Sequence, residues 1–462
     1  MDAPLAGKGF TVITLGCRTN HYESEAIASM LESRGAIYLE HGVKSPVVPD
    51  IVVVVTCSIT SIADKKTEKL LRRLRRRSGS SVIVACGCYA QRLSRERALA
   101  LGVDILVGNR FKFRIADLLE RWFCDGPSFR EVRELPLRVA GWDALSLDRP
   151  RIHTRAFVKV QDGCRRSCSY CIVPSVRGVP VSRDPQETVE EIEKIVSSGC
   201  REIVLTGIHL GSYRWGEASL DGLIAKVSSV RSLKRLRLGS LEPFAVTPGL
   251  LESLLSSPVF CPHLHLPLQS GDDFILEKMR RGYSASSFSS TIERVRHVLG
   301  DDVHLSTDLI VGFPGESDRA FENSLKLLCD LAFGRIHVFP FSPRTGTEAY
   351  DMPDRVPGRV IEERVNAAIA LSETLLASYA AKWVDKCVSV LPEERSEEGV
   401  FSGWSRHYLK VFARNDSGNA SSVGDETTAY VARQRGGVLF GEDVPDGRFV
   451  PDDKTGSALR SP

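Results

Sequence analysis

The chain has 462 residues, which at roughly 150 residues per domain suggests about three domains. A composition of 42% hydrophobic and 26% charged residues excludes a largely disordered chain, a collagen and a coiled-coil rod. The 61 Lys+Arg against 58 Asp+Glu give a formal charge of +3, which leaves nucleic acid open as a partner, because a basic face can sit inside a balanced total.

From residue 10 to 120 strand and helix patterns alternate. Phe10–Leu15 reads as a strand, Ser24–Arg34 as a helix, Ile51–Val55 as a strand buried on both faces, Asp64–Arg77 as a helix and Ser81–Ala85 as a buried strand. This order predicts an open parallel α/β domain. Residues 125–152 lack periodicity and read as a linker. Then come strand candidates Ala156–Val160, Glu202–Thr206, Arg235–Leu238, His263–Pro267, His304–Val311 and Ile336–Phe339. Helical stretches Gln186–Ser197, Leu220–Val230, Pro248–Leu255, Ser286–Val298 and Asp318–Leu331 separate them. Six β-α units predict a partial (β/α)6 TIM-like barrel. After a helix over Val360–Val384 the period shortens, and Cys387–Leu391, Tyr408–Ala413, Thr427–Ala432 and Gly437–Phe440 predict a small all-β domain. The fold class is thus α/β with a C-terminal all-β module, and residues 447–462 are expected to form a disordered tail. No run approaches the ~18 apolar residues of a membrane helix, and the start shows no leader pattern, so a cytoplasmic location is expected.

The 12 cysteines carry the chemistry. Without a secretion pattern they are unlike a disulfide framework, so clustered cysteines point to metal or redox chemistry. Cys164, Cys168 and Cys171 form C-x3-C-x2-C in DGCRRSCSYC, just beyond the first predicted barrel strand, where barrel enzymes place their sites. A closed zinc site would need a fourth ligand, whereas a 4Fe–4S cluster bound by three thiolates keeps one iron open. Cys17, Cys57 and Cys88 each follow a predicted strand, in VITLGC, IVVVVTC and SVIVACGC, and strand ends of an open parallel sheet converge on one edge. Cys86 shares a face with Cys88, but lies within its strand. Cys124, Cys200, Cys261, Cys329 and Cys387 stand alone and read as packing residues. His263 and His265 share strand parity and are expected inside the barrel.

The C-x3-C-x2-C loop on a partial barrel resembles the radical S-adenosylmethionine superfamily. That resemblance implies S-adenosylmethionine at the open iron, with Tyr170, Gly207 after Thr206, Glu242, Asp308 and Ile310 as cofactor-binding residues. GCRTNHYESE, TCSITSIADKK and GCYAQ look like the N-terminal domain of the methylthiotransferases, and the resemblance covers about Gly9 to Glu442. It implies a second 4Fe–4S cluster on Cys17, Cys57 and Cys88, and domains at 9–122, 150–376 and 377–446, the last similar to the nucleic-acid-binding TRAM module. TLGCRTNHYES, LTGIHLGSY, HLHLPLQSGDD and HVFPFSPRTGT look like the branch acting on threonylcarbamoyladenosine (t6A) at tRNA position 37, with Arg18 where a lysine is usual. The implied partners are a tRNA anticodon stem-loop and an electron donor such as flavodoxin or ferredoxin. Branches acting on isopentenyladenosine in tRNA or on a ribosomal-protein aspartate remain open, as do a non-enzymatic iron–sulfur sensor and a zinc protein. For RNA, Arg72, Arg73, Arg75, Arg76 and Arg77 offer phosphate contacts with no acid inside the run to neutralise them. Trp404, Arg406 and Tyr408 mix aromatic and basic groups, as surfaces for stacking unpaired bases do and as core aromatics also can.

Overall fold

The computed structural model describes residues 4–40, 48–126, 141–151, 154–396, 399–414 and 423–443. The expected tail lies outside the described residues. The first sheet has five parallel strands: β1 (Gly9–Thr14), β2 (Ile37–Tyr38), β3 (Ile51–Thr56), β4 (Val82–Gly87) and β5 (Ile105–Val107), in the order β2-β1-β3-β4-β5. Every residue of β3 (IVVVVT) and β4 (VIVACG) is buried, as two-sided burial of a central parallel strand requires. The helix after β1 spans Arg18–Ser33, beginning six residues before the predicted Ser24, because Thr19, Asn20 and Glu23 turn inward and mask the apolar face.

The second unit opens with β6 (Arg155–Asp162), β7 (Val181–Ser182), β8 (Glu202–Gly207), the hairpin β9 (Arg214–Trp215) and β10 (Ala218–Ser219), and β11 (Arg235–Leu238). It continues through β12 (His263–His265), β13 (His304–Val311) and β14 (Arg335–Pro340). Strands β6, β8 and β11 are parallel, as are β12, β13 and β14. The two groups join where Leu236 N donates to Val259 O at 2.7 Å and Cys261 N to Leu236 O at 2.9 Å. The result is a six-strand arc, an incomplete barrel. Its helices match the predicted ones to within two residues at each end, because their amphipathic period is unbroken.

The third unit is a closed barrel of β15 (Cys387–Arg395), β16 (Val400–Ser405), β17 (Lys410–Arg414), β18 (Thr427–Arg435) and β19 (Val438–Asp443), in the order β15-β16-β17-β19-β18. The helix Gly358–Ala381 delivers the chain to it, and Tyr379, Ala380 and Trp383 sit in the same apolar core as Val388, Val411 and Leu439.

The expectation of a linker over 125–152 is corrected for the described residues 141–151. Leu145 and Leu147 are buried, the Tyr22 hydroxyl donates to Leu145 O at 2.8 Å, and Glu191 accepts from Leu147 N. This segment is a strap tying the first unit to the second, and an irregular strap carries no period to read. Of the five lone cysteines, Cys200 and Cys261 are buried, but Cys124, Cys329 and Cys387 are exposed. Their positions at the ends of surface helices and of β15 correct their reading as packing residues. No helix among the described residues is long and apolar enough to cross a membrane.

Candidate functional site

Cys17, Cys57 and Cys88 lie just beyond the carboxyl ends of β1, β3 and β4. Gly16 holds φ +109°, and a Cβ there would lie 2.7 Å from Cys57 Cβ, so the chain closes on itself at the site. Asn20 fastens two strand exits by donating from Nδ2 to Leu15 O at 2.6 Å and to Thr56 O at 3.0 Å. Burial pushes the Cys57 thiol up to about 11, against the Ile59 amide, and Cys88 and Cys17 raise it further. Cys86, inside β4, is buried in the sheet core, whereas Cys88 meets Ile172 and Val176 of the second unit.

The second triad follows β6. Gly163 takes φ +76°, and a Cβ there would lie 2.2 Å from Val179 O, so glycine permits the tight return that seats Cys164. Cys164 N donates to Gly178 O at 3.0 Å and Cys171 N to Cys168 O at 3.1 Å. Burial pushes the Cys171 thiol up to about 12; the Val173 amide opposes this, while Cys168 and Cys164 add to it.

Each triad has a buried arginine that donates to one of its sulfurs. Arg177 Nε lies 3.2 Å from Cys88 Sγ, and Arg281 Nη1 lies 3.4 Å from Cys168 Sγ. Sequence reasoning missed both, since neither residue stands in a recognisable pattern with its cysteine. Arg177 also donates to Asn20 Oδ1 at 2.6 Å and Glu23 Oε1 at 2.6 Å. Because Arg177 ends the helix Val173–Arg177 that follows Cys171, it ties one triad to the other. Glu23 belongs to a fully buried ion cluster with Lys112, Asp143, Lys159 and Asp162. Burial alone would raise the Glu23 carboxyl, but Arg177, Lys112 and Lys159 hold it down at about 2.

The donor set fits iron–sulfur chemistry. Cationic and amide hydrogen bonds onto cysteine sulfur suit the anionic charge of a cluster with thiolate ligands. Among the described residues no three His, Cys, Asp or Glu side chains are grouped to hold a single metal ion. A cubane spreads its thiolates over separate irons, so its ligands stand further apart than those of one ion.

Cys17 opens onto a cavity of about 840 Å³ lined by all three units. The first unit supplies Gly16, Cys17, Arg18, Thr19 and His21, and the third supplies Glu393 and Trp404. The partial barrel supplies Thr206, Gly207, His265, Asp308 and His337 among others. Of the residues expected to bind cofactor, Gly207 and Asp308 line this cavity. Asp308 Oδ1 faces His265 Nε2 at 3.1 Å. His265 Nδ1 reaches Ser306 Oγ at 2.9 Å, as does His263 Nε2. Both histidines are inside, as strand parity predicts, but only His265 reaches the cavity wall. Burial lowers His337 to about 4, with His265 beside it adding to the effect, so its ring is neutral at pH 7. Glu242 and Tyr170 lie off the cavity and meet at Arg281, which pairs with Glu242 and lies 3.3 Å from the Tyr170 hydroxyl. Ile310 is buried with Ile275, Met279 and Phe313, and Tyr170 rests on that cluster.

Arg155, on the cavity wall, belongs to a buried charge cluster. Glu202 takes Arg237 Nε at 2.9 Å and lies 3.6 Å from both Arg155 and Arg235. Those arginines continue into the β-barrel: Arg235 Nη1 donates to Trp404 O at 2.7 Å, Arg237 Nη2 to Ser405 O at 2.8 Å, and Arg155 pairs with Glu393. Trp404, Arg406 and Tyr408, open to reading as a base-stacking surface or as core aromatics, fall between the two units. Trp404 lines the cavity, Tyr408 packs on it at 5.0 Å, and Arg406 donates to the carbonyls of Pro258 and Phe260. The arginine run is also split. Arg75 pairs with Asp104 and donates to Gly102 O, while Arg72 pairs with Glu68 at 3.0 Å, an acid just upstream of the run. Arg73, Arg76 and Arg77 remain exposed.

Residues 158–328 match the Radical SAM superfamily, and residues 9–108 match Uncharacterized protein family UPF0004. Threonylcarbamoyladenosine tRNA methylthiotransferase MtaB of Bacillus subtilis is 35% identical over 86% of this chain and 88% of its own length. The protein of the same name from Thermotoga maritima is 33% identical over 90% and 94%. A tRNA-2-methylthio-N(6)-dimethylallyladenosine synthase from Syntrophotalea carbinolica is 34% identical over 85% and 90%. Among solved structures, the radical S-adenosylmethionine methyltransferase TsrM from Kitasatospora setae shares the fold, with a TM-score of 0.58 at 13% identity over 74% of each chain. Relatives at this identity, aligned along most of both chains, show that the chain belongs to the radical S-adenosylmethionine methylthiotransferases, enzymes whose cofactors are S-adenosylmethionine and 4Fe–4S clusters.

Proposed function

We propose that this enzyme converts N6-threonylcarbamoyladenosine to its 2-methylthio derivative at position 37 of tRNA. The observation that carries this reading is the single cavity onto which Cys17 and the strand ends of the partial barrel both open. Relatives carrying the threonylcarbamoyladenosine name, at 33–35% identity, support the choice of base. Cys164, Cys168 and Cys171 would hold one 4Fe–4S cluster, and Cys17, Cys57 and Cys88 a second. When bound, the clusters and S-adenosylmethionine supply radical and sulfur chemistry for an adenine carbon whose hydrogen no ordinary base removes.

The chain itself positions and shields. Arg177 and Arg281 stabilise thiolate charge at Cys88 and Cys168. Tyr170, Gly207, Glu242, Asp308 and Ile310 would receive S-adenosylmethionine. Glu242 and Asp308 are held in place by Arg281 and His265 through one oxygen each, which leaves Glu242 Oε1 and Asp308 Oδ2 for a ligand. Exposed Arg73, Arg76 and Arg77 lie on the last turns of the helix Ser61–Arg77, at the far end from Cys57, and would contact phosphate away from the first triad. The β-barrel is in this reading a TRAM-like module that lends Glu393 and Trp404 to the cavity wall. A cytoplasmic one-electron donor such as flavodoxin or ferredoxin would serve the barrel triad.

The test is expression in a bacterial strain lacking its own threonylcarbamoyladenosine methylthiotransferase, followed by mass spectrometry of tRNA nucleosides. A methylthio group gained on threonylcarbamoyladenosine, and lost in Cys164→Ala and in Cys88→Ala, is expected. A gain on isopentenyladenosine alone would overturn the choice of base, in line with the relative from Syntrophotalea carbinolica. No gain on either nucleoside, with iron bound, would move the substrate to a ribosomal protein.

A further inference from the structure

Four side chains of fixed formal charge line the cavity: Arg18, Arg155, Asp308 and Glu393. Three are committed. Arg155 lies 3.6 Å from Glu202 and pairs with Glu393. Glu393 also accepts from Trp404 Nε1 at 2.9 Å, and Asp308 faces His265. Among the described residues, no carboxylate lies within ion-pair distance of Arg18. Its Nη2 donates instead to a neutral group, the Tyr408 hydroxyl, at 3.3 Å. A half-buried guanidinium without an anion is costly to desolvate, and the sequence supplies no local relief. Arg18 also opens the helix Arg18–Ser33, where the helix dipole disfavours a cation and no acid stands in the first turn. A local rule broken without compensation marks a place where a ligand completes the site.

The brace on Arg18 is firm. Tyr408 takes a left-handed backbone (φ 61°) and is flanked by Trp404 at 5.0 Å and His263 at 4.7 Å. That arrangement holds one guanidinium nitrogen of a side chain that lines the cavity, and a guanidinium fork is suited to a carboxylate. Arg18 adjoins Cys17. An N6 substituent lies on the N1 side of adenine, as C2 does, so a base with C2 near Cys17 brings a flexible N6 chain to the next residue.

We propose that Arg18 is the specificity-determining residue of this cavity, its guanidinium receiving the carboxylate of an acidic N6 substituent. The inference rests on the threonylcarbamoyladenosine reading above and deepens it. An aliphatic N6 chain would leave the guanidinium unpaired, and sites built for a charged partner reject analogues that lack it.

The test is binding of the holoenzyme to anticodon stem-loop RNAs carrying threonylcarbamoyladenosine, its methyl ester, or isopentenyladenosine. Dissociation constants come from fluorescence anisotropy for the natural chain, Arg18→Gln and Arg18→Lys. Esterification should weaken binding to the natural chain by about 10- to 100-fold. Arg18→Gln should bind acid and ester alike, and Arg18→Lys should retain part of the preference. Equal binding of acid and ester by the natural chain would overturn the assignment without reference to any variant. So would an undiminished preference for the acid in Arg18→Gln. If the natural chain favours the threonylcarbamoyl RNA over the isopentenyl one yet ignores esterification, Arg18 fails and the substrate reading stands. If it favours the isopentenyl RNA, both fall.

Discussion

Replacing Arg177 with leucine tests whether the buried ion cluster between the first two units is held by charge balance. Three carboxylates, Glu23, Asp143 and Asp162, meet three cations, Lys112, Lys159 and Arg177, and no side chain among them is more than 1% exposed. Leucine removes a guanidinium that serves Glu23, Asn20 and Cys88 at once, leaving three carboxylates against two cations. An uncompensated buried charge costs about 3–5 kcal/mol, a large share of a typical domain's ~5–15 kcal/mol. Glu23→Gln alone errs in the opposite sense, with two carboxylates against three cations, and should cost a similar amount. The double variant restores two against two, so its cost should fall below the sum of the singles by about 2 kcal/mol or more. Urea unfolding at neutral pH measures this, with Trp142 fluorescence as reporter because its ring lies 5.0 Å from Lys159 Nζ. Strict additivity would refute the charge-balance argument, as would an Arg177→Leu cost below about 1 kcal/mol.

Three further outcomes follow from the geometry. Anaerobically reconstituted enzyme should hold about eight iron atoms per chain, falling to about four in Cys88→Ala or in Cys168→Ala, by colorimetric iron analysis. Gly16→Ala, which forces a Cβ to 2.7 Å from Cys57 Cβ at φ +109°, should lose iron from the first triad and leave the signal of the barrel triad by electron paramagnetic resonance. Burial would raise the Glu202 carboxyl, but Arg237, Arg155 and Arg235 hold it at about 2. A lowered folded value means stability present above the ordinary carboxylate value of about 4.3 and lost as pH falls toward 2. Unfolding free energy from pH 4.5 to 2 should therefore fall less steeply in Glu202→Gln than in the natural chain, by up to about 1.4 kcal/mol per pH unit.

Much of the framework was legible because its signals are local. β-branched runs such as Ile51–Val55 have one stable place, the middle of a parallel sheet, and cysteines just beyond such runs must gather at one edge. What stayed hidden is what distance in the chain conceals. Glu23, Lys112, Asp143, Lys159, Asp162 and Arg177 are ordinary surface types whose burial depends on pairings across as many as 154 residues. Strand β5 is three residues long, and β16 (VFSGWS) has a glycine and two serines that break its alternation. The mix of aromatic and basic residues at Trp404, Arg406 and Tyr408 does not by itself separate a base-stacking surface from core packing. The arginines Arg235 and Arg237, which pull that face onto the barrel, lie some 170 residues earlier.

Glu202 and its three arginines join the partial barrel to the β-barrel, and Arg155 and Trp404 carry that junction to the cavity wall. The recess beside Cys17 is thus walled by three units at once. In the proposed reaction a nucleotide stacked in a duplex could not present its base edge inside such a recess without first being turned out of its strand, at a cost of a few kcal/mol that is smallest for an unpaired loop nucleotide. A recess built between three units thus acts as a filter on RNA secondary structure, before any contact to the base is made.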